Sequence, residues 1–245
     1  MGIVYHILGI LQVDFPIDVW YSVFAIGWQI RICKGEPMLS IQSYLNDPCG
    51  TSSIPYWKYK RIVVPENIKI VNERDISNSV FHEYTDEPYF RLYHDLKNIQ
   101  QTTTREVEVV SAKPSIDEFV RLINASYSDL SVTAEQMESY QQTPAYCPDL
   151  WILLKEKGTG TILAGGIADY DKDVGELILE WIQVLPYYRR RGYGQLVVNN
   201  LLSKMQRVAK FATVSGKMND PSNPEGLYRR CGFTGNDIWH ILTKK

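Results

Sequence analysis

A run of three arginines directly before two glycines is the feature of this sequence with the clearest chemistry. Arg189, Arg190 and Arg191 precede Gly192 and Gly194 in the stretch VLPYYRRRGYGQ. The apolar residues before this turn predict a strand and those after it predict a helix, whose first N–H groups have no partners within the helix. Such groups favour an anion, glycine lets a ligand approach the backbone, and arginine matches phosphate oxygens. The turn is therefore predicted to bind a phosphate or pyrophosphate group.

Other phosphate-binding motifs fit this turn less well. A P-loop needs a Lys-Ser or Lys-Thr pair after its second glycine, and the turn has none. The dinucleotide motif G-x-G-x-x-G fails at its third glycine, because Gln195, Leu196 and Val197 follow Gly194. A solvated surface turn is the structural alternative, but it requires neither the two glycines nor the flanking strand and helix.

Length and composition describe one large globular domain, or one domain with a sizeable extension. The 245 residues are 44% hydrophobic and 22% charged, with a formal net charge of -2. This near balance of charge gives no whole-chain basis for binding nucleic acid or a membrane surface. The four cysteines are far apart and lack the Cys/His clustering of a metal site, so no metal is expected.

A strongly apolar segment, residues 1–37, opens the chain. It lacks the basic region that begins a signal peptide. Asp14, Pro16 and Asp18 interrupt it, so it contains no clean run of about 20 apolar residues that would span a bilayer. Two explanations are open: an extension that packs on the body of the protein, or translation begun upstream of a natural start at Met38.

An aromatic and proline-rich segment follows, and it ends at a polar linker, QQTTTRE. A domain boundary is predicted in this linker, so residues 1–104 form an N-terminal extension of unknown role and residues 105–245 form the main domain. Residues 87–99 are predicted to be a short helix because their apolar residues recur at helical spacing. The segment over residues 38–104 either supplies walls of a substrate pocket, which the stretches IPYWKYK and YTDEPYF are predicted to close, or is a packing annex without chemistry.

Beyond residue 105 the apolar pattern is regular and predicts a mixed α+β domain. The predicted order of elements is β-α-α-β-β-β-α-β-α-β. Three consecutive strands, the last ending at Pro186, are joined by hairpin-like turns, which predicts an antiparallel meander. The expected fold class is therefore α+β, with a mostly antiparallel central sheet flanked by helices.

Two motifs in this domain resemble the GNAT (Gcn5-related N-acetyltransferase) superfamily, over about residues 106–245. The stretch VLPYYRRRGYGQ is similar to its acyl-CoA-binding signature, with Arg189, Gly192 and Gly194 at the defined positions. The stretch NPEGLYRRCGF, residues 223–233, resembles a second motif of the same superfamily. The two motifs occur in the expected order with a strand between them.

The resemblance implies a GNAT-like sheet and an acetyl-CoA-dependent N-acetyltransferase. An amine of a small molecule or peptide attacks the thioester directly in a ternary complex with acetyl-CoA, which is a co-substrate. The residues then expected to bind acetyl-CoA are Ile182, Gln183, Val184, Arg189, Arg190, Arg191, Gly192, Tyr193, Gly194 and Asn223. Asn219 competes with Asn223 for the superfamily's asparagine role, because the second motif is shorter here than its common form.

Two side chains are expected to transfer protons. The resemblance assigns Tyr228 as the general acid for the departing thiolate, since a tyrosine with a pKa near about 10 is protonated at neutral pH. Its structural alternative is an aromatic core residue. Glu180 is the predicted general base, because an acid in an apolar strand is costly unless paired, and strand alternation places it on one face with Ile182 and Val184. A salt bridge or an exposed strand edge is its alternative.

The acceptor is expected to enter opposite the CoA, past the first two helices of the domain. Tyr127, Tyr140 and Tyr146 are predicted to line this wall, because their rings offer flat apolar faces with a polar tip. The alternative is that they only cover the core. The expected partner is a small-molecule or peptide amine in the cytoplasm; nucleic acid and membrane are not expected, and a homodimer is left open.

Two functions from other classes compete with acetyl transfer. One is a catalytically idle GNAT-like module that binds acyl-CoA, which turnover with any amine would exclude. The other is nucleic-acid binding by the arginine run, although the sequence shows neither an extended basic surface nor an aromatic RNA-binding motif.

Overall fold

The computed structural model of the protein describes residues 39–100, 104–111, 116–127 and 130–245. Residues 1–37 and Met38, for which two explanations are open, lie outside the described residues. In the part that is described, no helix combines the length and the apolar character that a membrane crossing requires.

Eight strands of the described residues form one sheet. They are β1 (Ile68–Asn72), β2 (Tyr84–His94), β3 (Val107–Ser111), β4 (Trp151–Glu156), β5 (Ile162–Asp171), β6 (Glu176–Val184), β7 (Phe211–Lys217) and β8 (Thr234–Lys244). Their order across the sheet is β1-β8-β2-β7-β6-β5-β4-β3. Neighbours are antiparallel except for β6 and β7, which are parallel. The predicted fold class is confirmed, and the meander is β4-β5-β6.

Six α-helices of the described residues lie against this sheet. They are α1 (Ile41–Asn46), α2 (Tyr56–Tyr59), α3 (Ile116–Ser126), α4 (Ala134–Tyr140), α5 (Tyr193–Met205) and α6 (Pro224–Arg230). Short 3-10 turns cover Glu73–Asp75, Asn78–His82, Pro148–Leu150 and Pro186–Tyr188. Helix α4 begins with a capping box, in which Thr133 Oγ1 accepts from Gln136 N–H and the Gln136 side chain accepts from Thr133 N–H.

The two faces of the sheet are covered by different helices. On one face α5 buries the apolar side chains Leu196, Val197, Leu201 and Leu202 against β4, β5 and β6. On the other face α3 and α4 bury Phe119, Leu122, Ile123 and Met137 against Trp151, Leu153 and Trp181. We call these the α5 face and the α3/α4 face. Each helix buries one apolar stripe, which is the driving force for docking it on the sheet.

Strand β2 replaces the helix that apolar spacing predicts over residues 87–99. Its residues pair with β7 along one edge and with β8 along the other. Because both edges are hydrogen-bonded, tertiary pairing outweighs the local helical pattern. The helix prediction is wrong.

The segment before residue 104 is joined to the sheet through strands and through a buried ion pair. Both β1 and β2 lie in the same sheet as the strands after residue 104, so the predicted boundary separates strands that share one sheet. Arg91 on β2, only 1% exposed, donates to Glu176 Oε1 on β6 at 3.2 Å and to Tyr44 Oη on α1 at 3.0 Å. Tyr44 Oη donates to both oxygens of Glu176 at 2.8 Å. This network fixes α1 on the α3/α4 face.

Candidate active site

The parallel strands β6 and β7 pair for only part of their length. Their pairing ends at Leu179 and Val214, whereas β6 continues to Val184 and β7 to Lys217. Beyond that point β6 stays with β5 and β7 stays with β2. The two strands therefore diverge and open a gap in the sheet, which we call the β6/β7 gap.

A β-bulge at Glu180 marks the start of this gap. Ile167 on β5 pairs with Trp181, and the next residue, Ala168, pairs with Leu179. Glu180 is thus an extra residue on β6 without a counterpart on β5. Bulges of this kind bend the strand and redirect its side chains.

The bulge changes which side chains share a face of the sheet. Ile182 and Val184 pack with Leu179 on the α5 face. Trp181 packs on the α3/α4 face, and the carboxylate of Glu180 meets side chains on that same face. The prediction that Glu180 shares a face with Ile182 and Val184 is therefore wrong, because strict alternation fails at an inserted residue.

The backbone of β6 presents peptide groups to the gap at alternate residues. Leu185 N–H donates to Leu163 O on the β5 side at 3.1 Å. Because N–H directions alternate along a strand, the N–H groups of Val184 and Ile182 point to the opposite edge, toward the gap. Gln183 instead turns its backbone to β5, and its buried side-chain amide has no hydrogen-bond partner among the described residues.

The arginine-glycine turn connects the end of β6 to the start of α5. Arg190 and Gly192 are left-handed, with φ of 65° and 85°. The N–H of Leu196 donates to Gly192 O at 3.0 Å and is the first N–H to bond in this way within α5. The preceding N–H groups, those of Tyr193 and Gly194 included, belong to the unpaired first turn at the positive end of the helix dipole. The backbone thus has the geometry that the sequence predicts for an anion site.

Arg189 points its guanidinium away from this anion site. Its Nη2 donates to Ser126 O, the last residue of α3, and its Nε donates to Val184 O at 3.2 Å. The side chain therefore joins the end of α3 to the end of β6. Arg189 therefore contributes to the anion site through its backbone, which forms part of the turn.

The other two arginines are exposed, and one of them lies beside tyrosines. Arg191 lies over the rings of Tyr187 and Tyr188, 5.3 and 5.5 Å from their centroids. Tyr193 packs edge-on against Tyr188 at 6.5 Å between centroids. Arg190 and Arg191 thus carry exposed guanidinium groups at the turn, whereas the guanidinium of Arg189 donates to Ser126 O and Val184 O.

Gly194 lies where β6, α5 and α6 meet. A Cβ at this position would lie 3.1 Å from Leu227 Cδ2 and 3.6 Å from Val184 Cγ2. A larger side chain would fill the space between β6 and α6 at the mouth of the gap. Glycine keeps that space open.

Asn223 is the N-cap residue of α6. Its φ is 53°, and its Oδ1 accepts a hydrogen bond from Gly226 N–H at 3.0 Å. The side-chain oxygen therefore stabilises the first turn of the helix that carries Tyr228. Asn219, the competing candidate, is also left-handed, with a φ of 59°.

Tyr228 on α6 is buried, with 7% of its surface exposed. Its ring packs against Phe233 at 5.8 Å and Phe90 at 6.2 Å between centroids. Burial, and then the phenol of Tyr127, raises the pKa of Tyr228 well above its usual value. The residue combines the core packing of its structural alternative with a hydroxyl that stays protonated, as a proton donor requires.

Glu180 forms an ion pair with a residue of the N-terminal segment. Lys58 Nζ on α2 donates to Glu180 Oε1 at 2.8 Å and Oε2 at 2.9 Å, and the two side chains are 11% and 2% exposed. Lys58 belongs to the stretch IPYWKYK, and the neighbouring Trp57 is buried against Ile178 on β6. The stretch therefore covers the α3/α4 face beside the bulge. The salt bridge is the alternative considered for Glu180.

Asp169 on β5 is a buried acid near Glu180 and Lys58 that the sequence analysis does not single out. It is 6% exposed, and burial, with a further contribution from Glu180, raises its pKa to about 8, while Lys58 lowers it. The signal was present in the strand ILAGGIADYD, where an acid interrupts an apolar run just as Glu180 interrupts β6.

The three tyrosines predicted to line the acceptor wall lie at two different places in the structure. Tyr127 and Tyr140 both contact the Trp181 ring edge-on, each at 6.4 Å between centroids. Burial and the nearby Glu180 and Asp169 raise the pKa of Tyr140. Tyr146 instead contacts Trp151, at 5.7 Å between ring centroids. Trp151 lies on β4, two strands from Trp181 on β6, which is about 10 Å across the sheet.

Other features of the described residues lie apart from the gap. Two cavities of about 250 and 160 Å³ both contact Asn236, Asp237 and Ile238 at the start of β8, and neither touches the glycine turn or Glu180. Within the described ranges no group of three or more side chains has the composition of a metal site.

Comparisons with known proteins agree with this arrangement. Residues 148–235 match the family model of the acetyltransferase (GNAT) domain. They include the bulge, the glycine turn and Tyr228. No curated protein matches the chain in sequence.

Several solved structures have the same fold. A GCN5-related N-acetyltransferase from Sphaerobacter thermophilus has a TM-score of 0.59 at 17% identity, over 74% of this chain and 61% of that chain. A GNAT-family acetyltransferase from Colwellia psychrerythraea has a TM-score of 0.53 at 13% identity, over 72% of this chain and 64% of that one. A functionally unknown conserved protein from Staphylococcus epidermidis ATCC 12228 has a TM-score of 0.51 at 10% identity, over 86% of this chain and 83% of that one.

The present chain spans less than two thirds of the length of the first two structures. At these identities the likeness concerns the fold, and the family match adds the region that carries the gap and the turn. The resemblance recognised in the sequence is confirmed: residues 148–235 match the acetyltransferase (GNAT) domain model, and the fold is that of these solved structures.

Proposed function

We propose that the protein transfers an acetyl group from acetyl-CoA to the amine of a small molecule or peptide. The observation that carries the proposal is the β6/β7 gap, which has the arginine-glycine turn at one end and Tyr228 on the adjoining helix. An extended acyl-pantetheine chain fits such a gap, because the edge of β6 offers peptide groups where β7 has diverged.

The pyrophosphate of CoA binds the turn before α5 in this proposal. The N–H groups at the start of the helix and its dipole stabilise the charge, and Gly192 lets phosphate oxygens approach the backbone. Arg190 and Arg191 add exposed guanidinium groups. The thioester carbonyl lies near Val184, whose N–H points into the gap and stabilises the oxyanion of the tetrahedral intermediate.

Transfer proceeds by direct attack. The acceptor ammonium first gives one proton to a carboxylate, and the amine nitrogen then bonds to the thioester carbonyl carbon. The C–S bond breaks with its electron pair on sulfur, and Tyr228 donates the proton that turns the thiolate into CoA thiol. The nitrogen loses a second proton to solvent, solvent reprotonates the tyrosinate, and the carboxylic acid returns its proton to solvent, so the products are the N-acetyl amine, CoA and one proton.

An acyl-CoA-binding module without catalysis is the second candidate. The ion pair between Glu180 and Lys58 favours it, because Lys58 already occupies both oxygens of the carboxylate that was expected to take the proton of the acceptor. A thiol-release assay with acetyl-CoA and a panel of alkylamines, amino acids, polyamines and peptides separates the two. Amine-dependent thiol release supports transfer, whereas acetyl-CoA binding without release from any acceptor supports the idle module.

A further inference from the structure

Two tyrosines from opposite faces of the sheet approach each other at the β6/β7 gap. Tyr127, directly after α3, packs with the residues of the α3/α4 face, whereas Tyr228 on α6 packs in the core of the α5 face. Burial is the main cause that raises the pKa of Tyr228, and the phenol of Tyr127 is the next, so the two side chains are close. Hydrogen-bonded strands separate the two faces, and β6 and β7 have parted here. Tyr127 therefore reaches the gap from the α3/α4 face.

The ring of Tyr127 lies beside the part of β6 that borders the gap. It contacts the ring of Trp181 edge-on, at 6.4 Å between centroids. Trp181 lies between Val184 and the closed end of the gap, where Leu179 pairs with Val214. Val184 is about 10 Å further along the strand than Trp181. The ring thus lies between the position proposed for the thioester and the closed end of the gap.

Arg189 holds the end of α3 at this place. Its Nη2 donates to Ser126 O, and its Nε donates to Val184 O at 3.2 Å. One guanidinium therefore joins the residue before Tyr127 to the residue beside which the thioester carbonyl is proposed to lie. Because the guanidinium is planar and rigid, it fixes the separation of the two carbonyl oxygens. Tyr127 begins next to the acyl end of the cofactor.

The direction of the cofactor brings its acyl group to this ring. The pyrophosphate is proposed to bind the arginine-glycine turn, so the acyl chain extends from the thioester away from the turn, toward Leu179. Tyr127 is half-buried and packs on Trp181, so its ring cannot move aside without loss of that contact. A short acyl group ends before the ring, whereas a long one must displace it, which costs binding free energy.

We propose that the ring of Tyr127 limits the length of the acyl group that the protein accepts, and that Arg189 is the positioning residue that holds it there. The proposal deepens the proposed function and rests on it, because it names the donors as CoA thioesters of short-chain acids. The chemistry is the same for every chain length: the amine nitrogen bonds to the thioester carbonyl carbon, and the C–S bond breaks with its electron pair on sulfur.

Binding of the donor is the first test, and it does not depend on turnover. Calorimetry compares the Kd of acetyl-CoA with that of octanoyl-CoA, which has the same nucleotide and the same pantetheine. The wild type should bind acetyl-CoA at least about tenfold more tightly, and Tyr127→Ala should remove that preference. Equal affinities in the wild type, or a Tyr127→Ala protein that keeps the preference, overturn the proposal. A wild type that binds neither thioester contradicts the proposed function itself.

Three further variants control this comparison. Tyr127→Phe keeps the ring and should keep the preference, whereas Tyr127→Leu should lie between the wild type and Tyr127→Ala. Tyr170→Ala removes a tyrosine ring that packs on the α5 face, about 20 Å from Val184 along the hairpin, and should behave as the wild type. A Tyr127→Phe protein without the preference would contradict a limit set by the size of the ring.

The positioning role of Arg189 is tested by the same ratio of affinities. Arg189→Ala frees the end of α3 from Val184, so the preference for acetyl-CoA should fall at least about threefold. A loss of stability alone does not change this ratio, because unfolding weakens the binding of both thioesters equally. An Arg189→Ala protein with the ratio of the wild type overturns the positioning role.

Turnover is the last test. With benzylamine as acceptor, kcat/KM for octanoyl-CoA relative to that for acetyl-CoA should rise at least about tenfold in Tyr127→Ala. If both donors react but the ratio equals that of the wild type, the length limit fails and acetyl transfer stands. If no amine releases thiol from either donor although Tyr127→Ala removes the preference in binding, the length limit stands and the proposed transfer fails.

Discussion

Lys58 Nζ lies 2.8 Å from Glu180 Oε1 and 2.9 Å from Oε2, although 122 positions separate the two residues in the sequence. The contact joins the short helix α2 to the bulge of β6, beside the β6/β7 gap. It makes the segment before residue 104 part of the wall of the candidate site.

Breaking this ion pair should destabilise the protein. Lys58→Met leaves Glu180 buried without its counter-ion, so the free energy of unfolding should fall by about 3 kcal/mol in urea denaturation. Lys60→Met is the control two residues away: its ion pair with Asp173 is exposed and should contribute less than about 1 kcal/mol. Equal losses for the two variants would contradict the importance of the buried pair.

Removing the hydroxyl of Tyr228 should slow catalysis without loss of cofactor binding. Tyr228→Phe keeps the ring packed against Phe90 and Phe233 but has no proton to give, so kcat should fall about 10²-fold at an unchanged Kd for acetyl-CoA. Because the pKa of Tyr228 is raised, ionisation of this residue should cause no loss of kcat up to about pH 10. Tyr170→Phe, which loses a surface hydroxyl that donates to Val208 O, is the control. If the chemical step limits kcat and the Tyr228→Phe variant still has the kcat of the wild type, Tyr228 only packs in the core and is not the proton donor.

The arginines of the turn should differ in what they contribute. Arg189→Ala removes the bonds to Ser126 O and Val184 O, so the free energy of unfolding should fall by about 1–2 kcal/mol. Arg190→Ala should leave stability unchanged and weaken acetyl-CoA binding, because its exposed guanidinium is available to phosphate oxygens. Calorimetry at two salt concentrations checks the second effect, since the difference from the wild type should diminish with screening. The reverse pattern, with Arg190 needed for stability and Arg189 for salt-sensitive binding, would refute this division of roles.

Filling the space at Gly194 should block the cofactor. Gly194→Val places methyl groups against Leu227 and Val184 at the mouth of the gap, so the Kd of acetyl-CoA should rise more than about tenfold. Ser203→Val puts the same side chain further along α5, away from the gap, and controls for the effect of valine on the helix. A folded Gly194→Val protein that binds acetyl-CoA as the wild type does would mean that the cofactor lies elsewhere.

The sequence predicts the order of elements after residue 105 because hydrophobic periodicity and turn residues are local signals. It also predicts the anion turn, since glycines at the start of a helix act through backbone conformation alone. The bulge at Glu180 could not be predicted in this way. The run LILEWIQV fits a regular strand, so its pattern gives no sign of an inserted residue. Ile182 and Val184 are therefore assigned to the wrong face of the sheet. A single insertion is visible only in the pairing with β5.

Long-range contacts account for the other differences. Strand β2 is specified by two neighbours far along the chain, β7 and β8, so the local helical spacing of its residues is misleading. The pairing of Lys58 with Glu180, close to Asp169, depends on how α2 lies on the sheet. No local pattern in the sequence reports that placement.

The most direct test of acetyl transfer follows the acetyl group itself. The wild-type protein is incubated with carbon-13-labelled acetyl-CoA and benzylamine, and both the small-molecule products and the intact protein are weighed by mass spectrometry. Direct attack in a ternary complex predicts labelled N-acetylbenzylamine in an amount equal to the thiol released, with no change in the mass of the protein. Label that stays on CoA, appears as free acetate or remains on the protein would contradict the account.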